Sequence, residues 1–333
     1  MKKRPALFCL IAVGSGMLCL ILDSRHAAQY ARDALELCLR TVIPGLFPMF
    51  VLSGLLVASL TGGKNRALSA LEKLLGLSRG SGGIFLLGAV GGFPVGAQCI
   101  VQSMDAGGLS KEDGERILGF CNNCSPAFLF GILGGVFPDS PAPLLVFLIQ
   151  LETALVIATI WGNDAGHPLS LPRSSMSLPQ AVSRATRSMV SVCAWVILAG
   201  VVTGFLGRWL FPLLPEPCPA FLTGMLEITG GVLELRRVAS EDLRFVLCCI
   251  FVCFGGISVL LQIQSIAAEK GLGMKHCIRQ KLLQGILAGV LGGAVAAMGP
   301  VSLVIPLLFV LFWKKAVEIP RATVYNSSRK GGF

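Results

Sequence analysis

Apolar stretches near the length of a bilayer crossing recur along the whole chain, parted by short polar or basic segments. A membrane helix needs about 20 mostly apolar residues. Stretches approaching that length cover residues 6–22, 37–60, 82–104, 117–137, 141–161, 189–210, 245–268, 282–298 and 301–313, with a shorter, Gly-interrupted one at 221–235. The first follows the basic run Met1-Lys2-Lys3-Arg4 and looks like a signal peptide. It is long for a signal-peptide core and more spans follow, so it is read as an uncleaved first span. Pro44 and Pro48 kink the second stretch.

Several of these segments carry breaks. Residues 82–104 hold Gly91-Gly92-Phe93-Pro94-Val95-Gly96, and residues 117–137 hold Asn122-Asn123-Cys124-Ser125-Pro126. Proline removes a backbone donor and glycine weakens helix, so both segments are expected to be interrupted midway. Gly255-Gly256 interrupts residues 245–268. The motif Gly91-Gly92-x-x-Val95-x-x-Gln98 recurs as Gly255-Gly256-x-x-Val259-x-x-Gln262, and Ser103, Gly108-Leu109 and Ser265, Gly271-Leu272 follow with one or two residues of slippage. This reads as an internal repeat. The Pro- and Ser-rich stretch 163–188 is the linker between a first membrane half, 1–162, and a second, 189–313; a basic tail, 314–333, follows. Repeated halves with interrupted helices at matching places point to a transporter's binding site.

Composition narrows the class. The 333 residues are 54% hydrophobic and 14% charged, with a mean hydropathy of +0.75. Soluble domains carry about 25% charged residues, so a soluble, disordered or nucleic-acid-binding protein is excluded. The net charge of +10 then reflects Lys- and Arg-rich cytoplasmic loops. If both Gly-Gly segments are re-entrant hairpins, the N-terminus, residues 62–81, 105–116, the linker, 236–244, 269–281 and the tail share one side. That side then holds every Lys and Arg except Arg25, Arg32, Arg40 and Arg208. The expected fold is an all-α integral membrane protein of about eight transmembrane helices plus two re-entrant or broken helical hairpins, in two repeated halves. Most of the 12 Cys lie in apolar runs, where Cys acts as a small hydrophobe. The three His are scattered, and no metal site, cofactor or disulfide framework is expected.

The candidate chemistry lies at the breaks. Asn122, Asn123 and Ser125 sit in a span beside Pro126, where a ligand or an interhelical clamp would satisfy them. Gly91, Gly92 and Pro94, and in the second half Gly255, Gly256 and Ser258, would free backbone groups for an anionic substrate or allow close packing. Gln98, Gln102 and Gln262 follow the Gly-Gly breaks. Glu227, beside Thr229, is a candidate for coupling to a proton or cation, or is solvated at an interface. Glu152 is left outside the site. Cys121-x-x-Cys124 is read as structural thiols, and Lys111 to Arg116 as a solvated helix start.

Gly91 to Ala97, the stretch Gly108 to Arg116, and Phe120-Cys121-Asn122-Asn123-Cys124-Ser125-Pro126 resemble the sporulation integral membrane protein YlbJ group. Leu226-Glu227-Ile228-Thr229-Gly230-Gly231 and Phe254-Gly255-Gly256-Ile257-Ser258-Val259 are similar to its second-half motifs. The resemblance runs from about Leu37 to Pro300, with Cys124 and Gly231 as departures. It places the chain in the Gate, or nucleoside-recognition, superfamily, which includes parts of concentrative nucleoside transporters. It implies a membrane transporter of a small polar or anionic metabolite, dipicolinic acid during sporulation first and a nucleoside second. The implied location is a bacterial cell membrane or forespore outer membrane. Expected partners are a small-molecule substrate, membrane lipids and a coupling proton or cation. A non-transporting assembly factor and a channel are the rival classes; no catalytic constellation argues for an enzyme.

Overall fold

Glycine, proline and capping side chains cut the apolar stretches into shorter helices whose directions can be followed from their contacts. The computed structural model describes residues 3–60, 81–105, 109–161 and 176–310, and every regular element among them is helical. Helices α1 (Lys3–Leu22), α2 (Ser24–Leu37) and α3 (Ile43–Leu60) lead in, with a π-helical turn at Cys38–Val42 joining α2 to α3. Among the described residues, five helical stretches are long and apolar enough to cross a membrane: Ser24–Leu52, Ala142–Trp161, Leu178–Trp209, Glu241–Lys270 and Lys275–Met298.

Residues 81–161 begin with a hairpin. Helices α4 (Ser81–Gly91) and α5 (Val95–Asp105) fold back around Gly92-Phe93-Pro94, with Gly92 at φ 78°. Gly88 faces Gly96 across the hairpin, so the arms touch backbone to backbone. Helix α6 (Lys111–Ile117) starts at Ser110, whose hydroxyl accepts from the Asp113 amide at 3.1 Å. The chain unwinds over residues 118–125 and resumes as α7 (Pro126–Ile132), with proline at its first position and Ser125 as cap. Helix α8 (Ala142–Trp161) returns.

Helix α9 (Leu178–Trp209) is a natural ruler, 32 residues long, or about 48 Å at 1.5 Å per residue. Helix α2 runs antiparallel to it: Tyr30 packs on Gly204, Ala34 on Gly200, and the Cys38 thiol lies 4.0 Å from the Cys193 carbonyl. Arg208 meets His26 at 3.0 Å and Asp23 at 3.7 Å. The two ends of α9 are called the linker end and the Arg208 end.

A second hairpin follows from the Arg208 end. Helices α10 (Cys218–Leu226) and α11 (Ile228–Glu234) fold back at Glu227, with Gly231 set against the Gly224 backbone. Helix α12 (Glu241–Phe254) starts at the Ser240 cap and stops at Gly255, φ 88°. Helix α13 (Gly256–Ala267) continues away from it as an open elbow. At the linker end, Lys270 pairs with Asp105, and the Gly273 amide donates to Glu115 Oε1 at 2.7 Å. At the Arg208 end, Arg236 donates to the Gly135 carbonyl at 2.8 and 3.1 Å, joining the second hairpin to α7. Helix α14 (Lys275–Met298) then returns, and a short helix follows at Pro300–Val310. Residues 81–161 and 218–298 each run hairpin, capped helix, break, half-helix, long return helix. The first sequence starts from the linker end and the second from the Arg208 end.

Four expectations are corrected. The Gly-Gly motifs are not structural counterparts: Gly91-Gly92 sits at a fold-back, whereas Gly255-Gly256 bends a helix that carries on. The fold-back of the second half lies at Glu227, in the segment 221–235 expected to span. A fold-back needs small residues on both arms, which Gly88/Gly96 and Gly224/Gly231 supply. Residues 236–244 lie at the Arg208 end, away from the linker, because the hairpin returns to the side it entered. Lys281, expected in a cytoplasmic loop, is fully buried in α14. The loop 61–80, residues 163–175 of the linker and the tail 314–333 lie outside the described residues.

Candidate functional site

The two hairpin turns and the two helix breaks meet one another. The Cys121 carbonyl fills the space left by Gly88 and Gly96, where a Cβ on either would overlap it. The Ala97 amide donates to Asn122 Oδ1 at 3.0 Å. A Cβ on Gly92 would stand 2.7 Å from the Ser125 Cβ. The second turn meets the second break likewise: a Cβ on Gly256 would lie 3.3 Å from the Gly224 and Leu226 carbonyls. Phe93 joins the pairs, since its ring tip would be 3.1 Å from a Cβ on Gly255.

Backbone freed by the first break is taken up by protein. Asn122 Nδ2 donates to the Leu118 carbonyl at 2.6 Å, and Asn123 Nδ2 to the Phe120 carbonyl at 2.8 Å. Gln150 of α8 brackets Cys124, accepting from its amide at 2.9 Å and donating to its carbonyl at 3.0 Å. Gln280 of α14 accepts from the Phe120 amide at 3.2 Å and donates to the Arg116 carbonyl at 2.7 Å. Gln284 donates to Asn123 Oδ1 at 3.1 Å. Such pairing is required where no water reaches the backbone.

Three cavities are strung along α9. At the linker end a space of about 30 Å³ is lined by Pro94, Gln98, Gln102, Arg184 and Ser188. At the meeting point a space of about 50 Å³, room for a few water molecules, is lined by Phe93, Ser125, Phe128, Glu227, Thr229 and Gln262. Toward the Arg208 end a vestibule of about 440 Å³ is lined by Tyr30, Thr203, Gly207, Phe211, Glu227 and Glu234. That volume is within the range of small-molecule sites. Phe50 and Phe93 part the first two spaces; Glu227 parts the second from the vestibule.

The expected residues divide accordingly. Pro94, Gln98, Ser125, Glu227, Thr229 and Gln262 line cavities. Gly91, Gly92, Gly255 and Gly256 shape turns and breaks, and Asn122 and Asn123 are buried and hydrogen-bonded within the protein. Ser258 is buried with an unpaired hydroxyl, in the first turn of α13. Glu227 is buried, 5% exposed, not solvated at an interface. Its carboxylate caps α11, accepting from the Thr229 amide at 2.9 Å and the Gly230 amide at 2.7 Å. Glu152 is buried with one carboxylate oxygen unpaired, outside the three cavities. Cys121 and Cys124 are free buried thiols, and no cluster suited to a metal ion occurs among the described residues. Sequence reasoning missed Gln150, Gln280, Lys281 and Gln284. The signal for Gln280 and Gln284 was two polar side chains one helical turn apart, on either side of the boundary drawn between the charged loop 269–281 and the span 282–298.

No family model matches the chain, and no solved structure matches it. The chain is similar to the sporulation integral membrane protein YlbJ of Bacillus subtilis strain 168, with 25% identity over 311 residues, covering 79% of this chain and 76% of that protein. The long apolar helices and this similarity together support a multi-pass integral membrane protein related to a sporulation membrane protein.

Proposed function

We propose that the protein is a carrier, without catalytic activity, that moves a small polar or anionic metabolite across a bacterial membrane by alternating access. The observation that carries this reading is the row of cavities along α9, with both helix breaks and both hairpin turns at its central space. The two halves then form an inverted repeat, the architecture in which carriers place a substrate near the bilayer midplane. The linker end is the cytoplasmic face, because basic residues concentrate there. The vestibule is then open to the opposite side, while Phe50 and Phe93 close the cytoplasmic path. Glu227, between the vestibule and the central space, is the group placed to couple a proton or cation. The cell membrane or the forespore outer membrane is the proposed location, in keeping with the similarity to YlbJ.

Uptake by purified protein in proteoliposomes tests this. Dipicolinate, the solute that the resemblance implies, heads the panel, and uridine follows as the nucleoside. Saturable uptake of either supports a carrier. A second reading has its own support: the Asn122 and Asn123 side chains both find partners within the protein, as in a non-transporting assembly factor. Folded protein that takes up no member of the panel would favour that reading.

A further inference from the structure

Lys281 lies in the second turn of α14 and is completely buried. Its ammonium donates to Gln284 Oε1 at 2.8 Å and makes a long contact, 3.5 Å, to the Cys253 carbonyl near the end of α12. The Phe93 ring covers it, with the centroid 5.1 Å from Nζ. Among the described residues no carboxylate pairs with it; the ionisable groups that face it are the thiols of Cys121, Cys124, Cys253 and Cys277. The end of a helix and an aromatic face each favour a cation. Neither supplies the full negative charge that a buried ammonium ordinarily requires.

The cover over Lys281 is also a wall of two cavities. Phe93 lines both the central space and the linker-end space, and it sits at the turn of the first hairpin. This one ring thus covers the ammonium and faces the central space, where Ser125 and Gln262 offer neutral hydrogen bonds and Phe128 an apolar surface. We propose that Lys281 is the anion-binding group of the substrate site, covered by Phe93 as a lid, and that it selects solutes bearing a carboxylate over neutral ones. The assignment rests on the carrier reading and deepens it: the missing counter-ion is the substrate's carboxylate, which forms a charge-assisted hydrogen bond to Nζ.

The test uses the full chain, with pyridine-2,6-dicarboxylate as the charged probe and its diamide and uridine as neutral ones. Lys281→Gln is expected to raise the KM for the dicarboxylate tenfold or more, with the melting temperature in detergent held or raised. An unchanged KM overturns the proposal and makes Lys281 a cap for α12. Lys281→Met, close in volume, replaces the Gln variant if that one does not fold. Wild-type protein supplies an independent readout: the dicarboxylate should raise its melting temperature and the diamide should not, and equal shifts overturn the proposal. Wild-type uptake of uridine without any carboxylate leaves the carrier reading standing and removes Lys281 from it. Dicarboxylate binding that depends on Lys281, without uptake, keeps the anion site and removes the carrier reading.

Discussion

Asn123 and Gln284 meet amide to amide at 3.1 Å, across 161 positions of the chain. This contact ties the first helix break to α14. It favours the clamp over ligand contact for Asn123, because its amide donates to the Phe120 carbonyl and the side chain is fully buried.

The consequence is measurable. Asn123→Ala and Gln284→Ala should each destabilise the protein by about 1–3 kcal/mol, the cost of leaving buried polar partners unmatched. The double variant should lose less than the sum, since both changes break the same bond. Substrate affinity of the surviving Asn123→Ala protein should stay put; Gln284→Ala also removes the acceptor of Lys281, so its affinity is not part of this test. Unfolding in detergent, paired with substrate binding, checks both; a tenfold affinity loss at unchanged stability would return Asn123 to the binding site.

Gly230 and Gly231 are neighbours with opposite expected tolerance. A Cβ on Gly231 would overlap the Gly224 backbone, which has no flexible end to give way. A Cβ on Gly230 would meet Glu227 Oε2 and the Thr223 methyl at 3.5 Å, ordinary van der Waals distance. Gly231→Ala should therefore pry the second hairpin apart at a cost of about 1–3 kcal/mol or more. Gly230→Ala should be neutral, or stabilising by up to about 1 kcal/mol through helix propensity. Melting curves for the two variants, run side by side, provide the comparison.

The places where helices break were legible because they follow local rules: proline at 94 and 126, paired glycines at 91 and 255. What happens to the chain after each break was not. Folding back or carrying on is settled by contacts between arms, and Gly88/Gly96 flank Gly92 much as Gly224/Gly231 flank Glu227. A search for small residues placed evenly about a polar or glycine centre would have found the second hairpin. Matching the Gly-Gly pairs instead aligned a turn with an elbow. The cavity-lining residues Ser125, Glu227, Thr229 and Gln262 were legible as polar groups in apolar segments. Lys281 was not, because the charges at 269–281 outweighed the helix they lead into.

Residues 183 and 239 should be reached from opposite sides of the membrane. Ser183 is exposed near the start of α9, and Ala239 is exposed in the turn that follows the second hairpin at the Arg208 end. Single cysteines at these positions, in a background with the accessible native thiols removed, are to be labelled with a membrane-impermeant reagent in sealed vesicles. The expected outcome is labelling of one without permeabilisation and of the other only after it. Labelling of both from the same side would restore the hairpin at Gly255-Gly256 and undo the second fold-back.

The vestibule provides the last test, because it links a visible cavity to transport without touching the central residues. Gly207 lines it, is exposed, and has only the Phe211 ring, at 3.8 Å, near the position of an added Cβ. Gly207→Cys should therefore fold normally, at a cost within about 1 kcal/mol for a position in the last turns of α9. Attaching a bulky, charged thiol reagent there should block a path about 440 Å³ in volume. In proteoliposomes that transport the substrate, uptake by this variant should fall to a small fraction once labelled, and recover when the adduct is released by reductant. Ser183→Cys, labelled in the same way outside the vestibule, should keep its rate. If modification at 207 leaves uptake untouched, solute does not pass through this cavity, and the path along α9 is wrong even if the protein proves to be a carrier.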